Sequence, residues 1–358
     1  MLGGRSCRGE RGVPDAIEAD DLLAREAALQ AGGRPLRMRD AAEALGVPEA
    51  ALLEARRSGG SVVRLAEPFA DVLRRMPEAG PVLALTRNDA CVIESRGAFA
   101  PPEIEGTMGQ VVGAIDLRLF LRNWRYGYAF REEPEAGPRT GLLFFDAAGT
   151  AVHKIYGPTA ALAGIVADHC DRNAAPADFT AAAFVPIPDA AGERPDGEID
   201  REAFAAAWAG LQHTHEFFGL LRKFGVSRAQ AMRLAGPDFA RPVAASAARA
   251  ILEAVKGGTM PVMIFVGNPG CVQIHSGAVH RVEVVGPWLN VLDPAFNLHL
   301  REDRIAGAWI VRKPSVNGDI HSLELYDAAG TVFCQIFGQR LAGQTERADW
   351  RALVAGIA

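Results

Sequence analysis

Two histidines, His213 and His215, stand two residues apart near the middle of the chain, in the apolar run AAWAGLQHTHEFFGLLRKFGVSR (residues 206–228). At helical spacing, one stripe of this run carries His215 between Trp208 and Phe218, and the opposite stripe carries His213 with further phenylalanines and a leucine. Apolar residues on both faces predict a helix that is covered on both sides. A buried imidazole needs a hydrogen bond or a metal as its partner, so a satisfied core histidine and a metal ligand are both open interpretations.

The kind of metal site is restricted by what the sequence lacks. Residues two apart point to different faces of a helix, so His213 and His215 do not form a helical zinc pair. The chain contains no P-loop, GxSxG elbow, HExxH motif or Rossmann fingerprint. One imidazole with apolar surroundings and distant arginines and lysines suits haem, which needs an axial ligand, an apolar slot and cations for its propionates.

Composition and charge narrow the class of protein. The 358 residues are 49% hydrophobic and 23% charged, which is typical of a globular protein. The net charge of −5 gives no reason to expect nucleic-acid binding, although two short helices expected after Arg37 would also fit a helix-turn-helix reader. No apolar run is long enough for a membrane span, and the first residues lack the apolar core of a signal peptide. A cytoplasmic protein is therefore expected.

The cysteines indicate no disulfide framework and no thiolate zinc site. There are five of them, an odd number, and none forms a CxxC pair. We interpret them as small buried hydrophobic residues.

The two halves of the chain repeat one another. The segment PVLALTRNDACVIESRGA from Pro81 aligns with PVMIFVGNPGCVQIHSGA from Pro261, and LLFFDAAGTAVHKIYG from Leu142 aligns with LELYDAAGTVFCQIFG from Leu323. Each half has short helical patterns followed by strands that alternate apolar and polar residues. The sequence therefore predicts an α+β fold, a tandem duplication of a unit of helices and a large antiparallel sheet. We expect the two sheets to pack about a pseudo-two-fold axis and to leave a ligand cleft between the halves.

The repeats set the expected domain boundaries. Residues 1–34 are an N-terminal tail or an additional helix, and residues 35–172 form the first repeat. A linker rich in Ala, Pro, Asp and Gly follows over residues 173–200, and the second repeat spans residues 201–355.

A series of short motifs from about Arg37 to Trp350 resembles the HemS/HmuS/ChuS-type cytoplasmic haem-utilisation proteins of bacteria, the haemin-degrading factor family. The resemblance covers both repeats and depends on nine motifs in order: RDAAEALGV, ALTRN, DLRLF, FFDAAGTAVHKIY, THEFFGLL, VGNPGCVQIHSG, GPWLNVLDPAFNLHLR, VRKPS and FGQR.

The resemblance implies a haem held between the repeats. His215 would be the axial ligand of the haem iron, and His213 a possible alternate ligand. Arg118, with Phe120 beside it, would stand on the opposite face of the haem. Phe265 would pack on the macrocycle.

The resemblance also implies which residues meet the haem edge. The propionates would be bound by Arg228, Lys313 and Arg340, because arginine and lysine can bind a carboxylate with charge-assisted hydrogen bonds. Gln335 would contribute a further hydrogen bond, whereas the tyrosine that precedes this glutamine in some members is Cys334 here. Taken alone, each cation could equally be structural, for example Arg118 in an ion pair on the sheet.

Three functions are consistent with this resemblance. The first is a haem-binding protein that accepts imported haem and traffics it to use, storage or degradation in iron acquisition. The second is an enzyme that opens the macrocycle and releases iron. The third is a haem-responsive protein that contacts a partner such as a haem importer or a haem oxygenase. The expected oligomeric state is a monomer or a weak dimer.

Overall fold

The computed structural model describes residues 18–31, 36–133, 137–172, 184–185, 192–258, 260–341 and 343–358. The α-helices in these residues are α1 (Ala19–Ala31), α2 (Met38–Leu45), α3 (Glu49–Ala55), α4 (Phe69–Arg75), α5 (Thr159–His169), α6 (Arg201–Ala209), α7 (Glu216–Phe224), α8 (Arg228–Leu234), α9 (Ala247–Val255) and α10 (Ala348–Ala355). None of them is long and apolar enough to cross a membrane.

The strands before the linker are β1 (Val62–Arg64), β2 (Pro81–Arg87), β3 (Cys91–Ala98), β4 (Glu103–Glu105), β5 (Met108–Val111), β6 (Asp116–Phe120), β7 (Tyr126–Glu132), β8 (Arg139–Phe145) and β9 (Ala151–Pro158). Those after it are β10 (Ala240–Pro242), β11 (Val262–Asn268), β12 (Cys271–Gly277), β13 (Val282–Val285), β14 (Trp288–Leu292), β15 (Phe296–Arg301), β16 (Gly307–Lys313), β17 (Ile320–Tyr326) and β18 (Val332–Gly338).

These strands form two antiparallel sheets of nine strands each. The first sheet has the order β1-β7-β8-β9-β2-β3-β15-β14-β13, and the second has the order β10-β16-β17-β18-β11-β12-β6-β5-β4. Each sheet therefore takes six strands from one repeat and three from the other. The predicted duplicated α+β fold with two large sheets is confirmed. The exchange of three strands between the repeats is an additional feature that the sequence did not predict.

Helices cover both faces of each sheet, because alternate side chains of a strand point to opposite faces. In β11, for example, Val262, Ile264 and Val266 are fully buried in a core with α9 and α10. Helices α6 to α8 pack on the opposite face of the second sheet. In the first sheet, α4 and α5 cover one face and α1 to α3 cover the other.

Two equivalent asparagines join the sheets at the centre of the molecule. Asn88 follows β2 and donates from Nδ2 to the carbonyls of Gly267 and Phe333, both at 2.9 Å. Asn268, at the end of β11, donates in return to the carbonyls of Arg87 and Val152, at 2.9 and 2.8 Å. This reciprocal exchange relates the repeats as a pseudo-two-fold axis would.

The single helix predicted over residues 206–228 is wrong. Helix α6 ends at Ala209, and α7 begins only at Glu216. The carboxylate of Glu216 accepts the backbone N–H groups of Gln212 and His213, at 2.8 and 3.2 Å, and so stabilises the turn between the helices. The break allows rings from both helices to enter one core, where the centroids of Trp208 and Phe217 are 4.7 Å apart.

The segments outside the repeats are described in part. Residues 19–31 form α1, which corresponds to the additional helix among the two sequence alternatives, and Leu22 of this helix is fully buried. Most of the expected linker, like residues 1–17, lies outside the described residues. The four cysteines within the described part of the chain are free thiols.

Candidate functional site

One face of the second sheet carries several of the side chains that were expected to contact a ligand. In the strand register, Glu324 of β17 lies opposite Gln335 of β18, and Gln335 lies opposite Phe265 of β11. Directly opposed residues of antiparallel strands share a face, so these three side chains form a row across the sheet. Lys313 of β16 and Tyr326 of β17 project from the same face by the alternation of each strand.

The face continues onto strand β6, which the first repeat contributes. Ile274 of β12 lies opposite both Phe265 and Asp116, so Asp116 and its alternate neighbours Arg118 and Phe120 share this face. The strand exchange thus brings Arg118 and Phe120 onto the sheet that holds the second-repeat residues. Arg118 forms an ion pair with Asp116, which is the structural alternative that the sequence left open for this arginine.

Glu324 lies at the centre of a buried cluster of donors. Arg228 donates to it twice, from Nε to Oε2 at 2.8 Å and from Nη2 to Oε1 at 2.7 Å. Nζ of Lys313 lies 2.5 Å from Oε1, and Nε2 of Gln335 donates to the same oxygen at 3.1 Å. The hydroxyl of Tyr326 donates to Oε2 at 2.7 Å. The Glu324 side chain is 0% exposed and that of Arg228 is 14% exposed, so this network is largely shielded from water. We call these five residues the Glu324 cluster.

The charges of the Glu324 cluster are strongly coupled. Burial would raise the pKa of Glu324, but the charges of Arg228 and Lys313 outweigh it and hold that pKa well below its usual range. Burial lowers the pKa of Lys313 to about 8, although the Glu324 carboxylate opposes this. Burial also disfavours the charged form of Arg228, but the attraction of Glu324 keeps the pKa of Arg228 above its ordinary value. At pH 7 the cluster therefore holds two cations and one carboxylate, which leaves one net positive charge.

Aromatic rings of α7 lie against these cations. Nζ of Lys313 is 4.7 Å from the ring centroid of Phe217, and the guanidinium of Arg228 is 5.3 Å from the same centroid. Phe218, next along the helix, is 56% exposed, which is unusual for so large an apolar side chain. The ring of Phe265 packs edge-on against that of Phe337, with centroids 5.1 Å apart. The site therefore combines cations that lie against a buried ring with two rings, Phe218 and Phe265, that are only partly covered.

The two histidines lie immediately before α7. His215 is the residue at the helix N-cap, and His213 lies in the preceding turn. Both are exposed, and neither imidazole makes a hydrogen bond with a residue that the structure describes. The carbonyl of Gln212 accepts from the backbone N–H of Val316 at 2.9 Å, which holds this turn beside the loop that follows Lys313. The expectation that these histidines are buried within a helix is wrong, because the chain turns at residues 210–215.

The remaining predicted cation is separate from the Glu324 cluster. Arg340 follows the end of β18, is partly exposed and makes no hydrogen bond or ion pair within the described part of the chain. The structure thus gathers Arg228, Lys313 and Gln335 around one carboxylate and does not bring Arg340 to that carboxylate.

Sequence reasoning missed Glu324 and Tyr326. A signal was present in the aligned repeats, where LELYDAAGT of the second repeat corresponds to LLFFDAAGT of the first. Glu324 stands where the first repeat has Leu143, and Tyr326 stands where it has Phe145. Polar residues at positions where the copy is apolar indicate a role beyond packing.

The corresponding place in the first repeat has a different ion pair. Lys154 of β9 lies opposite Leu143 and Leu85, as Gln335 lies opposite Glu324 and Phe265 in the second sheet. The ammonium of Lys154 pairs with Glu49, the first residue of α3, and both side chains are buried. Helices α2 and α7 both end at a glycine in the left-handed region, Gly46 and Gly225, so α2 corresponds to α7, and the helices that follow, α3 and α8, correspond to one another. The residue at the N-cap of α2 is Arg37.

The other histidines of the strands make structural contacts. Three of them form hydrogen bonds, His153 with Thr86, His299 with Asn290 and His321 with Glu346. The fourth, His275, stacks on the ring of Phe296.

Comparison with known proteins gives consistent matches. The family model for the haemin-degrading HemS/ChuX domain matches the chain twice, at residues 46–168 and 225–357. The hemin transport protein HemS of Yersinia enterocolitica is 35% identical over 327 residues, which cover 89% of this chain and 92% of that protein.

Solved structures are also similar over most of the chain. Holo-PhuS, a heme-binding protein from Pseudomonas aeruginosa, is 38% identical and superposes with a TM-score of 0.90, covering 96% of this chain and 99% of that one. ChuS, a heme-degrading enzyme of Escherichia coli O157:H7, is 32% identical with a TM-score of 0.85, covering 95% of this chain and 99% of that one.

Proposed function

Because the chain belongs to the HemS family of haemin-degrading HemS/ChuX-domain proteins, we propose that it binds haem beside α7, on the face of the second sheet that carries Phe265 and Arg118. The main support is the arrangement at the start of α7, where the His215 imidazole has no internal hydrogen-bond partner among the described residues and follows a turn held beside the buried cations. An imidazole of this kind can donate its lone pair to iron.

The other predicted residues have distinct roles in this proposal. Phe265 packs on the macrocycle, and Arg118 with Phe120 lies on the side opposite the axial histidine. His213 can replace His215 as the ligand. These residues fit haem because the face combines partly covered aromatic rings with a guanidinium at the strand-exchange junction.

The haem carboxylates are held at the Glu324 cluster and by Arg340. Arg228 uses Nε and Nη2 on Glu324, so Nη1 is not engaged by that carboxylate. Lys313 has three ammonium donors, and Gln335 is partly exposed. The net positive charge of the cluster favours a carboxylate over a neutral group.

On this proposal the protein receives imported haem in the cytoplasm and passes it to use, storage or degradation, as a monomer or weak dimer. An exposed single histidine ligand supports transfer, since one ligand can be exchanged for that of an acceptor. The relatives support it as well, because one is a hemin transport protein and another a heme-binding protein. A haem importer and a haem oxygenase are the partners that such transfer requires.

Haem titration with and without the axial histidine tests the proposal. We expect His215→Ala to weaken haem binding by about 100-fold and to shift the Soret band. Mutating even the residues that orient a metal ligand typically costs about 10- to 100-fold in affinity. His213→Ala should have a smaller effect. Equal affinity and equal spectra for wild type and His215→Ala would contradict the assignment of the ligand.

Haem degradation is the second candidate function, and the similarity to ChuS, a heme-degrading enzyme, favours it. An axial histidine with an arginine on the other side is compatible with oxygen chemistry at the iron. The distinguishing experiment supplies the haem-loaded protein with an electron donor and oxygen, removes hydrogen peroxide with catalase and identifies the products. Ring-opened product and released iron under these conditions would favour the enzyme, and intact haem would favour the carrier.

A further inference from the structure

Glu324 occupies the place in the Glu324 cluster that a ligand carboxylate would take. Its two oxygens accept from a bidentate arginine, an ammonium, an amide and a phenol. This is the donor set with which proteins bind a carboxylate ligand, and the Arg228 pair has the parallel two-bond geometry that such recognition uses.

The fold itself does not need this carboxylate. The equivalent position in the first repeat is Leu143, on a strand with the same register to its neighbours. In the first repeat, α3 corresponds to α8 and forms its own buried ion pair, Glu49 with Lys154. The equivalent strand, β8, carries no carboxylate. Glu324 therefore accompanies the two cations of the second repeat rather than the architecture that the repeats share.

We propose that Glu324 is an internal counter-carboxylate, which holds Arg228 and Lys313 in place in the ligand-free protein and competes with the carboxylates of the ligand for the same donors. The inference rests on the proposed function, because it concerns how the haem carboxylates are bound. Two cations shared between Glu324 and a propionate hold that propionate less tightly than two free cations would. Glu324 thereby limits affinity and favours release, which suits a carrier.

The decisive variant is Glu324→Gln, which keeps the size of the side chain and removes its charge. We expect the preference for haem over haem dimethyl ester, which lacks free carboxylates, to increase by about tenfold, the change that one charge-assisted hydrogen bond produces in a binding constant. Release of haem to excess apomyoglobin should slow by a similar factor. Glu49→Gln, which removes the buried carboxylate of the first repeat, is the matched control and should leave the preference unchanged.

The preference for haem over its dimethyl ester distinguishes competition between Glu324 and the haem carboxylates from a purely structural role of Glu324. A merely structural role for Glu324 would lower the affinity for haem and its dimethyl ester together, because both need the same slot. An unchanged or reduced preference for the free acid in Glu324→Gln would overturn the proposal.

A second measurement does not depend on haem. Glu324→Ala removes the internal carboxylate and leaves its donors, so sodium propionate should raise the melting temperature of this variant more than sodium chloride at equal ionic strength. Wild type should respond equally to both salts. If Glu324→Ala does not fold, the same comparison with Glu324→Gln gives the answer. Equal responses to propionate and chloride in the variant would refute the counter-carboxylate, whereas a wild type that binds no haem would refute only the proposed function.

Discussion

Arg228 and Glu49 are the first residues of equivalent helices, α8 and α3, yet they carry opposite charges. Each forms a buried ion pair with a residue of the adjacent sheet, Arg228 with Glu324 and Glu49 with Lys154. Both repeats thus have an ion pair at the start of this helix. The helix residue is the cation in the second repeat and the carboxylate in the first. The second repeat also adds Lys313, which gives its cluster a second cation for one carboxylate.

Comparison of the two repeats separates the features that stabilise the shared fold from those that belong to a site. The turn asparagines Asn88 and Asn268 make equivalent bonds in both repeats, as expected of residues that stabilise the shared architecture. The charges that adjoin α8 and α3 differ, as the proposed binding of the haem carboxylates in the second repeat would require. Each of the following predictions tests one side of this comparison.

The largest effect is expected from converting the second repeat towards the first at Glu324. Glu324→Leu introduces the residue of the first repeat and leaves Arg228 and Lys313 buried without a counter-ion. We expect the free energy of unfolding to fall by about 3–5 kcal/mol, the usual cost of breaking a buried ion pair by removing one partner. Chemical denaturation monitored by tryptophan fluorescence measures this change.

A double variant provides the control. Adding Lys313→Met removes one of the unpaired cations, so Glu324→Leu/Lys313→Met should recover part of the lost stability. A loss below about 1 kcal/mol in Glu324→Leu, the size expected of an exposed pair, would show that the cluster is effectively solvated.

The next effect is expected from removing the three charged residues of the Glu324 cluster together, so that no buried charge is left. The variant Glu324→Leu/Arg228→Met/Lys313→Met replaces the ionic network by apolar residues, which is often neutral for stability. Haem should lose most of its advantage over haem dimethyl ester, by about tenfold to 100-fold, because two charge-assisted bonds are absent. Adding Arg340→Ala to this variant should reduce the remaining preference for haem over haem dimethyl ester. An undiminished preference for haem would place the carboxylates elsewhere.

The asparagines should behave alike, since they lie on the shared side of the comparison. Asn88→Ala and Asn268→Ala each remove the donors to two carbonyls of the other repeat and leave those groups unsatisfied. We expect each to lower the free energy of unfolding by about 1–3 kcal/mol. Haem affinity should change little in either case. A large effect at one position and none at the other, measured by denaturation, would contradict the pseudo-symmetric role.

The smallest effect is a pH dependence. Lys313 faces Glu324 and Tyr326 from β17 and Arg228 from α8, and its pKa is lowered to about 8 by burial. The ammonium is charged below this pH and neutral above it, while Arg228 and Glu324 keep their charges. The preference for haem over its dimethyl ester should therefore decline between about pH 7 and pH 9, by less than about tenfold. Lys313→Met should show a flat ratio over this range, and a decline in that variant would assign the titration to another group.

The sequence predicted the parts of this molecule that are local or repeated. The aligned segments around Asn88 and Asn268 indicated the duplication and the strands, and the two short helices expected after Arg37 are α2 and α3. The family motifs indicated His215 as the candidate ligand, and the comparisons confirm the family.

The features that the sequence did not predict depend on distant contacts. The break at residues 210–215 was missed because the apolar pattern continues through it, and only tertiary packing of Trp208 against Phe217 favours the turn. The partner of Arg228 was missed because Glu324 is 96 residues away and lies between two leucines of β17. The strand exchange was missed because periodicity identifies strands and does not specify which strands pair.

The exchange of strands also limits how the molecule can move. Strand β12 is hydrogen-bonded to β6 from Cys271 to Ile274, and β15 is hydrogen-bonded to β3 from Phe296 to Leu300. A hinge that swung the two repeats apart like a clamshell would have to break both ladders at once. Rigid-body opening is therefore opposed by the backbone itself. The motions left for loading and unloading a ligand are local ones, in the side chains of the sheet face and in the short helices that lie on it.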